Sequence, residues 1–125
     1  MHSDQFQFVA NEIELDDVAD FVCRIRGQAY GVDVTRAVGT FSKQTGFGEP
    51  TNEGIDALIR KKLAKALRVA GDRWVPTLFI WTQTRAAHQS VLETCQRQGA
   101  GTKAVFVVAL TDLTEVFNAG IKRRM

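Results

Sequence analysis

The sequence lacks the features that would place it in a membrane or in the secretory route. No apolar run approaches the roughly 20 residues that a membrane-spanning helix needs, and the amino terminus does not join a basic region to an apolar one as a secretion signal does. The 125 residues are 45% hydrophobic and 24% charged, which is typical of one folded domain. We therefore predict a single cytoplasmic domain over residues 1–125 that makes no contact with a membrane.

Cysteine and histidine are scarce as well. Cys23 and Cys95 each fall among apolar residues of a predicted helix, which favours reduced, buried thiols in a cytoplasmic protein over a disulfide. His88 and Cys95 share one helix face, but they are seven positions apart, which is about 10 Å along the helix axis. That separation is too large for two ligands of one zinc ion. We therefore expect no resident metal and no other cofactor.

Standard motifs for catalysis and nucleotide binding are also missing. The chain contains no G-x-S-x-G nucleophile elbow, and its glycine-rich segment matches neither G-x-x-x-x-G-K-[ST] nor G-x-G-x-x-G. Nucleophilic catalysis of the hydrolase type and nucleotide binding by a standard loop are therefore not expected.

The hydrophobic pattern alternates between the periods of strands and helices. Strand patterns cover residues 5–9, 30–38, 76–81 and 104–110, and helix patterns cover residues 14–26, 55–70, 84–98 and 112–118. The predicted order is β-α-β-loop-α-β-α-β-α. Such alternation predicts a three-layer α/β/α domain with a mostly parallel sheet of about four strands. The strands 76–81 and 104–110 are apolar on both faces, which indicates central strands covered on both sides.

Residues 39–53 form a long glycine-rich joint between the second strand and the helix 55–70. Joints of this length are usually functional, and we predict a flexible loop that closes on a partner. Phe41 and Phe47 either pack inward or provide contact area for that partner, and Lys43 offers a hydrogen-bond donor. An alternative is a short extra strand within residues 41–47, which would make residues 30–47 a hairpin.

Polar residues follow the carboxyl ends of the predicted parallel strands, where open α/β sheets bind ligands. If the strands are parallel, these residues form one rim pocket, with members Thr35, Arg36, Thr82, Gln83, Arg85 and Asp112. Helix capping explains part of the same pattern, because Thr84 and Asp112 stand where helices begin and Asp112 with Glu115 has the spacing of a capping box.

Charge is divided unevenly along the chain. Residues 1–59 hold 4 basic and 10 acidic residues, and residues 60–125 hold 12 basic and 4 acidic ones. The helix 55–70 is basic on the side opposite its apolar stripe, and the tail 121–125 adds further positive charge. Charge of one sign on a helix face indicates an anionic partner, head-to-tail pairing of copies as a homodimer, or a solvated surface.

The prediction that accounts for most of these features is a non-catalytic binding protein. Its partner would be nucleic acid or an acidic protein surface, the latter including the toxin partner of an inhibitor or immunity protein. The predicted partner-binding residues are Lys43, Arg60, Lys61, Lys65, Arg68, Phe41 and Phe47.

The alternative is a metal-dependent nuclease of the restriction-endonuclease type. Asp33 is the one acid within a predicted strand, and with Glu49, or with Glu53 or Glu14, it would hold Mg²⁺ or Mn²⁺ for phosphodiester cleavage. Nucleases of this type usually carry an acid-x-lysine pair on the next strand, and none is present here. The competing explanation for Asp33 is a solvated acid on an edge strand.

Overall fold

The computed structural model describes the backbone of residues 6–9 and all of residues 19–111. The elements in chain order are β1 (Phe6–Val9), β2 (Phe21–Ile25), β3 (Gln28–Arg36), β4 (Phe41–Ser42), β5 (Gly46–Phe47), α1 (Asn52–Ala70), β6 (Val75–Thr82), α2 (Arg85–Gly99) and β7 (Val105–Leu110). The predicted helix 112–118, Asp112 and the basic tail 121–125 lie outside these residues, as do residues 14–18. No helix within the described ranges has the length and apolar character needed to cross a bilayer.

Five strands form one mixed sheet in the order β1-β2-β3-β6-β7. β2 runs antiparallel to both of its neighbours, whereas β3, β6 and β7 are parallel to one another. Four of the five strands therefore point the same way. The sequence correctly predicted that the segments 76–81 and 104–110 lie side by side and parallel, and it correctly predicted an α/β fold.

The predicted helix over 14–26 is wrong where it can be compared, because residues 21–25 form strand β2. Arg26 and Gly27 connect β2 to β3, and their positive φ angles of 52° and 83° are those of a two-residue hairpin turn. The apolar residues of this segment fit helical spacing, but Phe21, Cys23 and Ile25 also alternate as in a strand. Pairing with β1 and β3 provides hydrogen bonds on both sides, which decides the outcome.

Both helices pack on one face of the sheet. The core joins Ile59 and Leu63 of α1 and Val91 of α2 to Leu78 and Ile80 of β6. The steps from β3 to β6 and from β6 to β7 go in the same direction across the sheet, and right-handed crossovers then place both helices on the same side. The third layer of the predicted α/β/α arrangement remains a prediction.

β7 differs from the prediction of a strand covered on both sides. Val105 and Val107 are each 40% exposed, whereas Phe106 and Val108 pack against the core. The apolar run of β7 misled the prediction because both of its faces are hydrophobic, while the described residues cover only one of them.

The helices begin with side-chain caps. The Thr51 hydroxyl accepts the amide of Gly54 at α1, and the Thr84 hydroxyl accepts the amide of Ala87 at α2. These bonds satisfy amide groups that the first helical turn leaves without a backbone partner. The capping role expected for Thr84 is confirmed.

The joint 39–53 contains a small hairpin, in which β4 and β5 pair with each other. Backbone bonds from Gly39 to Gly48 and from Gly48 to Thr40 close its base. The short strand expected within residues 41–47 is therefore present, but it pairs inside the joint. The expectation that residues 30–47 form a hairpin is wrong, because β3 pairs with β2 and β6 instead.

Candidate functional site

Two carboxylates come together at the open end of the β2–β3 hairpin. Phe21 pairs with Val32, so extending the register by one residue places Asp20 opposite Asp33. Asp33 in turn pairs with Leu78 of the core, which puts its side chain on the face that carries the helices. Asp20 and Asp33 are called the acid pair below.

Hydrogen bonds hold the acid pair in place. Oδ2 of Asp20 accepts the backbone amide of Val34 at 2.7 Å. The carboxylate of Asp33 accepts a hydrogen bond from the backbone of Asp20. Asp20 is therefore tied to β3, and Asp33 is tied to the residue that immediately precedes β2.

The environment of Asp33 disfavours its charged form. Burial raises the pKa of Asp33, and the negative charge of Asp20 raises it further. The hydrogen bond from Asp20 and the charges of Lys65 and Lys62 oppose this rise without cancelling it. A cation beside the acid pair would relieve both unfavourable contributions.

Two lysines of α1 lie near Asp33. Lys62 and Lys65 are partly buried and lie near enough for their charges to lower the pKa of Asp33. Asp56, by contrast, forms ion pairs with Arg60 and, at 2.8 Å, with Arg97. Arg60 is therefore partly neutralised, whereas Lys62 and Lys65 act electrostatically on Asp33. Lys61, Lys62 and Lys65 are called the lysine row below.

A cavity of about 370 Å³ lies beyond the acid pair, between the carboxyl end of β3 and the first turns of α1. It is called the α1 cavity, and its lining consists of Arg36, Ala37, Val38, Pro50, Gly54, Ile55, Ala57, Leu58 and Lys61. Lys61 and Lys65 are one helical turn apart, so the lysine row continues from the acid pair to this cavity.

The predicted metal partner of Asp33 lies elsewhere. Glu49 accepts a hydrogen bond from the hydroxyl of Thr84 at 3.0 Å, which links the joint to the start of α2. Glu53 lies in the first turn of α1, and Glu14 is outside the described residues. Asp20 is the acid that the structure places beside Asp33. β3 is an interior strand of the sheet, so the explanation of Asp33 as a solvated acid on an edge strand is wrong.

The rim pocket is only partly assembled. Arg36 and Thr82 are the last residues of the parallel neighbours β3 and β6, so they lie at the same end of the sheet. However, Thr82 is fully buried and its hydroxyl bonds the carbonyl of Ala109 at 2.8 Å, which is a structural role. Gln83 and Arg85 follow at the start of α2. Thr35 lies on the helix-bearing face, because it pairs with Ile80 of the core.

The aromatic residues of the joint pack on each other. The ring centroids of Phe41 and Phe47 are 5.2 Å apart, and the guanidinium of Arg36 lies 5.5 Å from the centroid of Phe47. Phe41 is still 42% exposed. Lys43 is exposed in the turn between β4 and β5. The β4–β5 hairpin therefore stands beside the end of β3 rather than inside the core.

Sequence reasoning missed Asp20, Lys62 and the apolar lining of the α1 cavity. Asp20 was assigned to a helix that ends at Gly27, whereas Gly27 belongs to the turn of the hairpin that places Asp20. Lys62 lies between the outer face and the buried stripe of α1, and its orientation depends on which strand the helix covers.

Within the described ranges, no group of three or more His, Cys, Asp or Glu side chains is arranged to hold a metal ion. The acid pair is therefore a two-carboxylate site. Comparison of the chain with protein-family models, with curated proteins and with solved structures gives no match, so its residues carry the functional argument.

Proposed function

We propose that the protein binds nucleic acid along the lysine row of α1 and cleaves a phosphodiester bond beside the acid pair. The observation that carries the proposal is the placement of Asp33 next to Asp20, within electrostatic reach of Lys62 and Lys65. Carboxylates hold the divalent cations that assist phosphodiester hydrolysis, and lysines neutralise phosphate charge. The site would combine both on the helix-bearing face of the sheet.

The acid pair fits Mg²⁺ or Mn²⁺. Proteins bind Mg²⁺ through one or two carboxylates, while water and substrate phosphates complete its coordination. Asp20 uses Oδ2 for the amide of Val34, and its Oδ1 is the oxygen we assign to the cation. When bound, such a cation polarises the phosphate and lowers the pKa of a coordinated water.

The residues of the chain have separate roles in this proposal. Asp33 supplies a carboxylate whose charge the folded protein disfavours, so binding a cation there removes an existing electrostatic penalty. Lys65 and Lys62 position the phosphate next to the acid pair and balance the negative charge that develops during cleavage. Lys61 extends the binding surface toward the α1 cavity.

Non-catalytic binding of an anionic partner is the second candidate, and a specific observation favours it. The sequence contains no acid-x-lysine pair, which nucleases of the restriction-endonuclease type usually carry on the strand after the first acid. The lysine row would then bind phosphates, or an acidic protein surface in an inhibitor or immunity protein, without chemistry. The two candidates share the binding surface and differ only in what Asp33 does.

A cleavage assay separates these candidates. Labelled single-stranded and double-stranded DNA and RNA are incubated with the protein in Mg²⁺, in Mn²⁺ and in a chelator. We expect metal-dependent cleavage that falls at least about a hundredfold in Asp33→Asn and in Asp20→Asn. Asp72→Asn changes an exposed acid in the turn after α1 and serves as the matched control. Absence of cleavage in every metal would reject the nuclease.

Binding is measured in the uncleaving Asp33→Asn background. Reversal of Lys61, Lys65 and Arg68 to Glu is expected to abolish binding of a labelled oligonucleotide while the far-UV circular dichroism stays unchanged. The control is Lys103→Glu, which reverses a charge just before β7, at the opposite edge of the sheet. Unaltered affinity in the triple variant would reject both candidates, whereas lost affinity without any cleavage by the wild type would favour the non-catalytic binder.

A further inference from the structure

The α1 cavity has two chemically different parts. Ala37 and Ile55 are almost completely buried and form an apolar floor, and Val38 and Leu58 extend it. The charged residues of the lining are Arg36 and Lys61, both basic, and the lining includes no acid. A cavity of about 370 Å³ falls in the size range of small-molecule sites. It therefore suits a ligand that has an apolar portion and a negative charge.

The cavity also lies at a defined distance from the acid pair. Arg36 lies three positions after Asp33 in β3, which is about 10 Å along a strand. On α1, Lys65 lies four positions after Lys61, which is about 6 Å along the helix axis. A strand of nucleic acid whose phosphate lies at Asp33 and Lys65 would thus bring a neighbouring nucleotide to the cavity.

We propose that the α1 cavity binds one nucleotide of the nucleic acid, with its base against the apolar floor and its phosphate at Lys61. The inference rests on the proposed function, because the acid pair sets the position of the neighbouring phosphate. It goes beyond that function by assigning a base-contacting subsite. A base must leave its stack to enter, so the preferred ligand is single-stranded.

Two exposed alanines of α1 provide a matched pair of variants. Ala57 lines the α1 cavity, whereas Ala64 lies two turns further along the same helix and lines a separate cavity beside α2. Ala57→Phe places a ring in the proposed subsite, and Ala64→Phe makes the same change outside it. Both positions are exposed, so neither substitution disturbs the core.

The test uses adenosine 5′-monophosphate as the probe, in the Asp33→Asn protein, followed by amide NMR signals. We expect concentration-dependent shifts centred on Gly54 and Leu58. Ala57→Phe is expected to weaken binding at least about tenfold and Ala64→Phe less than about twofold. Ribose 5-phosphate, which lacks the base, is expected to bind more weakly than the nucleotide. Equal effects of the two alanine variants, or equal binding of the two probes, would overturn the subsite.

A second measurement tests the phosphate contact. Affinity for a labelled single-stranded oligonucleotide is measured over a range of salt concentrations for the Asp33→Asn protein, with and without the additional change Lys61→Gln. Loss of one phosphate contact lowers the slope of log affinity against log salt by about one. An unchanged slope would overturn the role of Lys61. Because cleavage is assayed separately, shifts at the cavity in a protein that cleaves nothing would support the subsite and reject the nuclease.

Discussion

The two faces of the five-stranded sheet differ in what covers them. On one face, Leu78 and Ile80 lie beneath α1 and α2, and Asp33 stands at the margin of this covered core. On the other face, Val34 is 41% exposed, and Val105 and Val107 are 40% exposed. The candidate site thus belongs to the covered face, although the opposite face is the more exposed one. Apolar sequence alone therefore does not show which face of a strand is buried.

The largest expected effect is on the covered face. Leu78 is fully buried in the core, and Leu78→Ala should lower the free energy of unfolding by about 2–5 kcal/mol because it removes buried side-chain volume and leaves a cavity. Val107→Ala, on the exposed face of β7, should lower it by less than about 1 kcal/mol. Urea unfolding measures both. A loss above about 2 kcal/mol for Val107→Ala would show that the second face is covered in solution.

A substitution at Gly31, on the helix-bearing face of the sheet, should have a smaller effect on the free energy of unfolding. A Cβ at this position would overlap the indole ring of Trp74, whereas a Cβ at Gly48 would meet only an ordinary contact with Thr40. Gly31→Ala should therefore lower the free energy of unfolding by about 1–3 kcal/mol through overpacking. Gly48→Ala is the control and should change it by less than about 0.5 kcal/mol. Equal midpoints for both variants in thermal unfolding would contradict the close packing at Trp74.

Asp33→Asn should stabilise the protein near neutral pH, although only modestly because the carboxylate is partly solvated. The folded-state pKa of Asp33 is raised by burial and by Asp20, so its contribution to stability is fully present below its unfolded value of about 3.9 and is lost as the pH rises through the folded pKa. Replacing it should raise Tm by about 1–2 °C near pH 7. The gain should shrink toward pH 3 in thermal scans.

Asp56 is the control, because its pKa is shifted in the opposite direction to that of Asp33. A hydrogen bond from Arg97, followed by one from Gln98, lowers the pKa of Asp56, so this acid contributes stability above its unfolded pKa, and the contribution is lost as the pH falls through the folded one. Asp56→Asn should therefore lower Tm near neutral pH and have less effect in acid. If both variants shift Tm in the same direction at neutral pH, the assignment of Asp33 as an unfavourable buried acid is wrong.

The smallest expected effects are on the reactivity of the two cysteine thiols. Cys23 lies in β2 and Cys95 lies in α2, so they probe different parts of the fold. Burial raises the pKa of the Cys95 thiol to about 11 and also raises that of Cys23. Near pH 8 only about one Cys95 in a thousand would be a thiolate, so thiol reagents should label the native protein slowly and the unfolded protein rapidly. Cys23→Ser and Cys95→Ser assign each reaction. Rapid labelling of Cys23 alone would show that the buried surroundings of Cys23, on the side of the sheet opposite the helices, open more readily than the core beneath α2.

Much of the fold was predictable because several segments have one dominant period. The apolar stripe of α1 and the continuous apolar runs of β6 and β7 identified a helix and two parallel strands. β2 was not predictable in the same way, because Phe21, Val22 and Ile25 fit helical spacing while Phe21, Cys23 and Ile25 fit the alternation of a strand. Tertiary pairing, which periodicity does not contain, decided between them.

The candidate site was predictable in part. Asp33 stood out as an acid within a strand, and the basic face of α1 stood out by charge. Their meeting could not be predicted, because it depends on how α1 lies across β3. Asp20 was hidden by the incorrect helix, and Glu49 was chosen as an acid of the joint that follows the strand of Asp33. Sequence therefore identified chemically capable residues but not which of them are neighbours.

The hairpin turn at Arg26 and Gly27 has a consequence for the acid pair six residues away on each side. Asp20 and Asp33 are equidistant from the centre of this turn, so their facing positions depend on its length of two residues. One residue inserted there would slip the register and send one carboxylate to the far side of the sheet. The number of residues in this exposed turn thus determines whether the two carboxylates face each other, although no atom of the turn needs to touch a ligand.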